Sequence, residues 1–165
     1  MKRRVCFVLT LLLCIMAIAG CASATPIAQA NPSSNTTVDS GNITKVNLNT
    51  ATGDEFLASI PALGNRMVRE FQEYKPYISI QQFRQEIGKY VDEAQVATYE
   101  KYVYVPITIN DSDSETLQQI PGLAPTEAES LISARPYATV DDFLSRLSTY
   151  ISADELEIAK TYLDQ

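Results

Sequence analysis

Few side chains in this sequence can do chemistry. There is no histidine, and the three cysteines are Cys6, Cys14 and Cys21. Two aspartate pairs, Asp111/Asp113 and Asp141/Asp142, have a spacing that could serve a metal ion or general acid–base work. Such pairs far more often cap helices and lie on solvated faces. No glycine-rich phosphate loop follows a strand. Catalysis therefore has little to stand on, and no enzyme, cofactor or metal site is expected.

The cysteines have a different use. Lys2, Arg3 and Arg4 form a basic start, and residues 5–18 are an apolar run too short to span a membrane comfortably. The run ends in Ile18-Ala19-Gly20-Cys21, which resembles the bacterial lipobox. That resemblance implies a signal peptide over 1–20 and lipidation of Cys21. An ordinary cleaved leader, cut near Ala22 or Ala24, is the alternative. Cys6 and Cys14 leave with the signal either way, so the folded part holds no disulfide and no cysteine-ligated metal. Residues 21–42 are then the lipidated cysteine and a disordered tether, because the Ala, Ser, Thr, Asn and Pro that fill it cannot bury a core. The expected location is outside the cytoplasm, lipid-anchored to the cell membrane and facing the periplasm or the exterior.

Charge constrains the partner. The whole chain carries 13 basic and 20 acidic residues, a formal −7. The signal holds three of the basic residues and none of the acidic ones, leaving ten against twenty, or −10. A surface of that sign is repelled by nucleic acid and by anionic headgroups, so any DNA contact must be local.

The most informative pattern is internal repetition. Ile60-Pro61-Ala62-Leu63-Gly64 returns as Ile120-Pro121-Gly122-Leu123-Ala124, and the run from Pro76 to Phe83 returns from Pro136 to Phe143. Leu57 pairs with Leu117, Phe71 with Leu131, Ile87 with Leu147, Tyr90 with Tyr150 and Tyr102 with Tyr162. Upstream the register slips by one, so that Asn47-Leu48-Asn49 aligns with Thr108-Ile109-Asn110. Two homologous units are expected, over 43–104 and 105–165.

Each unit reads as four short helices. In the first, Asn49 or Thr50 caps a helix with Asp54 and Glu55 in its first turn and Phe56, Leu57 and Ile60 on its apolar face. Residues 61–64 break it, and Met67, Val68 and Phe71 begin a second helix that Pro76 ends. Ser79 caps a third and Asp92 a fourth. The second unit repeats this with Ser112 or Ser114, then Thr139, then Ser152 with Glu155 as a capping box. No stretch alternates long enough to make a sheet. The expected class is all-α.

At Val46-Asn47-Leu48-Asn49-Thr50-Ala51, followed by Leu-x-x-Ile-Pro-x-Leu-Gly and then Pro-Tyr before a capped helix, the chain resembles the helix-hairpin-helix module of competence protein ComEA. The resemblance covers both units. It implies two tandem helix-hairpin-helix (SAM/ComEA-like) units after a lipoprotein signal and flexible tether. In that family the hairpin reads Pro-Gly-apolar-Gly, and its glycines let backbone N–H groups at the next helix approach a DNA phosphate.

Carried over by position, the first hairpin keeps Gly64, has Ala62 in place of the earlier glycine, and is followed by Asn65, Arg66 and Arg69. Lys75 and Lys89 complete the candidate DNA-binding set. Surface arginines on a plain helix face are the competing reading. The second hairpin keeps Gly122 but has Ala124 and then Pro125, which has no N–H to donate, with Glu127 and Glu129 close behind. The later turns, Ile87 to Val91 and Leu147 to Ile151, read as packing turns. Net charge is −1 over 41–105 and −8 over 106–165, so DNA, if it is the partner, belongs to the first unit. The alternative is a protein partner at the acidic second unit. A similarity to the extrinsic U subunit of photosystem II, through residues 134–144, implies that scaffold role. No small-molecule substrate is expected.

Overall fold

The structure, a computed structural model, describes residues 44–164, all within one compact unit. The expected signal, the lipidated Cys21 and the tether lie outside the described residues. Among those residues the fold is helical, with eight short helices and one pair of two-residue strands. No helix there is long and apolar enough to cross a membrane.

The first four helices are α1 (Gly53–Ser59), α2 (Asn65–Glu73), α3 (Ile80–Ile87) and α4 (Glu93–Tyr99). The second four are α5 (Ser114–Leu117), α6 (Pro125–Ser133), α7 (Val140–Leu147) and α8 (Ala153–Tyr162). Ser79, Asp92, Thr139 and Ser152 cap their helices as the spacing predicts. The first helix of each set starts elsewhere. Its cap is Thr52, in a box with Glu55, rather than Asn49 or Thr50. In the second set it is Asp113 rather than Ser112 or Ser114.

The physical reason is long-range. The Asn49 amide is already engaged, donating to the Tyr77 carbonyl at 2.9 Å and accepting from the Tyr77 N–H at 2.8 Å. Asn110 and Tyr137 make the same pair of bonds at 3.0 and 2.8 Å. Buried Ser112 accepts instead from the Thr108 N–H. Thr52 and Asp113 are one residue further apart than Ile60 and Ile120, so the register slip runs on into α1 and α5. Phe56 therefore matches Leu117, both fully buried, while Leu57 is 39% exposed rather than part of the apolar face.

A sheet does form, though a minimal one. Strand β1 (Val46–Asn47) pairs in parallel with β2 (Val103–Tyr104), Val46 opposite Val103. Two residues are too short to show any alternation in sequence. A parallel bridge between Ile107 and Leu163 closes the second set at the equivalent place.

Each set of helices has its own core. Phe71 centres the first, with edge-to-face contacts to Phe56, Phe83 and Tyr99 at ring separations of 5.3–5.4 Å. Leu131 takes its place in the second, where Tyr137 meets Phe143 at 5.3 Å. The two cores are joined side by side through α3 and α5. The Ile80 N–H donates to buried Thr116 at 3.0 Å, and Arg84 forks onto Glu100 at 2.7 and 2.9 Å while also meeting Glu115. Gln119 brackets the Val105 peptide, and Tyr104 stacks on Tyr162 at 4.4 Å. Burying Ile80 is worth about 2 kcal/mol. The half-exposed arginine pairs contribute less than about 1 kcal/mol each. Of the arginine pairs only Arg84–Glu115 crosses between the sets, Arg84–Glu100 lying within the first, so charge contributes little to holding them together.

Candidate nucleic-acid interface

The turn between α1 and α2 brings Ala62, Gly64, Asn65 and Arg66 to one end of α2, with Arg69 one turn further on. Ile60 and Leu63 are buried and pin the turn from beneath, leaving Ala62, Gly64, Asn65, Arg66 and Arg69 exposed. Ala62 has φ +59°, the left-handed region, where a side chain costs about 1 kcal/mol. Gly122 holds the matching position at φ +77° with no such cost.

Gly64 is the N-cap of α2, with ordinary extended angles and no side chain capping the helix. A Cβ there would meet nothing within 4 Å. Glycine is a common residue at a helix N-cap, and having no side chain here it also leaves the first N–H groups of α2 open to close approach from outside. Arg66 and Arg69 flank that opening, and among the described residues neither has an ion-pair partner. The uncapped amides carry the positive end of the helix dipole, an arrangement that attracts negative charge.

The two lysines lie elsewhere. Lys75 follows the far end of α2, about 13 Å along the axis from Gly64. Its ammonium donates to the Ala51 carbonyl at 2.6 Å and sits 5.1 Å from the Phe56 ring centre. Burial holds its pKa below the usual lysine value, against the opposing field of Glu55. Lys89 is bound to Glu86, which raises its pKa, and lies over the Tyr74 ring at the same far end. Tyr74 and Tyr90 join through their hydroxyls at 2.7 Å. The seven candidate positions thus divide into five at the turn and two committed to internal contacts.

At the second-set turn the same backbone meets the chain's own carboxylates. The Ala124 N–H donates to Glu127 at 2.8 Å, and Pro125, the first residue of α6, has no N–H. A Cβ on Gly122 would overlap the Glu155 carboxylate, which reaches the turn from the first turn of α8. Hydrogen bonds from the Ser152 backbone and hydroxyl hold the Glu155 pKa below the usual carboxylate value and keep it ionised there. The equivalent positions in the first set are Met67, which is buried, and Gln95, which is neutral. Glu155 is absent from the sequence-based site because only tertiary packing brings it to Gly122. Its one legible signal is its place in a capping box.

One aspartate of each pair caps a helix, Asp113 at α5 and Asp142 in the box with Thr139, and among the described residues no group of three or more such side chains could hold a metal. Comparison of the chain with protein-family models, with curated proteins and with solved structures found no match.

Proposed function

We propose that this chain is a non-enzymatic, lipid-anchored extracytoplasmic binding protein of the ComEA kind, two tandem helix-hairpin-helix units that hold double-stranded DNA by its backbone through the first hairpin. The observation that carries the reading is the opening at Gly64. Uncapped helix amides, open space beside Gly64 and two exposed arginines without ion-pair partners among the described residues occur together in the first two turns of α2. Contacts of this sort hold the sugar–phosphate chain and ignore base identity.

Two arginines and a helix end make a weak site, so binding is salt-sensitive, with log K falling against log salt at a slope of about −2. Fluorescence-anisotropy titration of a short duplex with residues 22–165 tests this. Binding at low salt that is lost in Arg66→Ala/Arg69→Ala supports DNA capture through the first hairpin. No binding even at low salt defeats it.

A second reading, a scaffold that binds another protein and no DNA, draws on the placement of Lys75 and Lys89. Both stand away from the hairpin and are consumed internally, so the basic face is smaller than the composition suggests. In this reading the acidic second unit is the part that meets a partner. The anisotropy titration separates the two.

A further inference from the structure

A polar cleft of about 790 Å³ opens where α3, α4 and α5 meet beside the start of β1. Three basic residues, Lys45, Arg84 and Lys101, and two acidic ones, Glu100 and Glu115, line it, so its balance is positive in a chain that is acidic as a whole. Strand pairing puts the two lysines side by side. Val46 lies opposite Val103, and its N–H donates to the Tyr102 carbonyl at 2.8 Å, which sets Lys45 next to Tyr102 and one residue from Lys101. The cleft uses none of the residues of the Gly64 turn.

The charges in it are shared unequally. Arg84 forks onto Glu100 at 2.7 and 2.9 Å and also meets Glu115, so both carboxylates are bound to one guanidinium. Among the described residues neither lysine ammonium has an ion-pair partner. Lys101 is exposed, but Lys45 is half-buried. Burial holds the Lys45 pKa below the usual lysine value, and the field of Glu100 opposes this only in part. A cation that has lost part of its hydration without gaining an acceptor is stabilised when an anion arrives.

The geometry points to this cleft as a binding site for a phosphate monoester dianion, held between the ammonium groups of Lys45 and Lys101. Two adjacent cations attract a doubly charged oxyanion more strongly than a singly charged one, and lysine serves phosphate as a point charge that needs no fixed fork. The walls favour the same class of ligand. Their apolar part is slight, Ala97 and the nearly sealed Ile80, so a ligand with a large apolar body gains little there. The backbone phosphates of DNA carry one charge each, which separates this site in chemistry from the one proposed at Gly64. A soluble phosphate ester and a lipid headgroup can both present the dianion.

The core residues all lie between 48 and 163, so residues 22–165 serve for the test. Amide NMR titration with inorganic phosphate at constant ionic strength and about pH 8, where the ion is doubly charged, is expected to show saturable shifts at Lys45, Val46, Lys101 and Tyr102. The expected dissociation constant is about 1 mM. Dimethyl phosphate, the singly charged diester, is expected to bind about tenfold more weakly. Lys45→Met and Lys101→Met are each expected to weaken phosphate about tenfold, and Arg66→Ala/Arg69→Ala and Lys160→Met to leave it unchanged. Lys101 is exposed and outside the core, so its variant keeps the test valid if Lys45→Met fails to fold. Co-sedimentation with phosphatidic acid vesicles that Lys101→Met abolishes identifies a lipid headgroup as the source. Binding of glycerol 3-phosphate without sedimentation identifies a soluble ester. Absence of saturable shifts, equal binding of dimethyl phosphate, full binding by Lys101→Met, or shifts centred on Gly64 each overturn the proposal.

Discussion

The turns at 60–64 and 120–124 have the same backbone path and opposite surroundings. At the first, the glycine at the helix start faces open space and two unpaired arginines. At the second, Glu127 takes the equivalent N–H, Pro125 removes the next, and Glu155 fills the face of Gly122. A helix start with open N–H groups and one closed by the chain's own side chains thus coexist in one chain. Met67 against Glu127, Asn65 against Pro125, Gln95 against Glu155, Arg66 against Thr126 and Arg69 against Glu129 separate them, together with the exchanged glycines at 62/122 and 64/124. Copying a fold does not copy a site, because the site depends on which donors remain free.

The largest expected effects lie in the two cores beneath these turns. Phe71→Ala should cost about 4 kcal/mol, since three aromatic neighbours lose their central contact, and Leu131→Ala about 3 kcal/mol. Denaturant unfolding of the two variants checks this ordering. The turns come next. Gly122→Ala should cost about 2 kcal/mol, through its left-handed backbone and the displaced Glu155 cap. Ala62→Gly should instead raise stability by about 0.5–1 kcal/mol. If both variants were neutral, the claimed difference in packing around the turns would be wrong.

A finer contrast comes from the paired tyrosines. The Tyr137 hydroxyl donates to the Leu131 carbonyl at 2.8 Å, whereas the buried Tyr77 hydroxyl has no partner in the described structure. Tyr137→Phe should cost about 1 kcal/mol and Tyr77→Phe nothing, or slightly stabilise. Thermal melts of the two resolve that difference. The smallest effect is on pH dependence. The folded pKa of Glu155 is depressed below 4.5, so its contribution is present above the unfolded value and lost as pH falls through the folded one. Glu155→Gln should therefore flatten the acid limb of a stability–pH profile below about pH 4.5 and leave the neutral limb unchanged in shape.

What was legible in the sequence follows from the range of the interactions involved. Ser79, Asp92, Thr139 and Ser152 cap helices through bonds spanning three residues, so local spacing reveals them. The turn at Gly64 and the loss of donors at Pro125 are local as well. Thr52 and Asp113 were missed because Asn49 and Asn110, the better caps by type, are claimed by residues 28 and 27 positions away. Lys75 looked like a free cation and proves to be bound to Ala51, which only the folded chain reveals. The Ile80–Thr116 bond and the Arg84–Glu115 pair depend on contacts between the two helical sets, so no single repeat contains their signal.

The most direct test of the contrast is an amide NMR titration of residues 22–165 with a short duplex at low salt. Saturable shifts confined to Gly64, Asn65, Arg66 and Arg69, with Ala124 and Thr126 unmoved, are the predicted result. Shifts of equal size at both turns, or none at Gly64, would contradict the account.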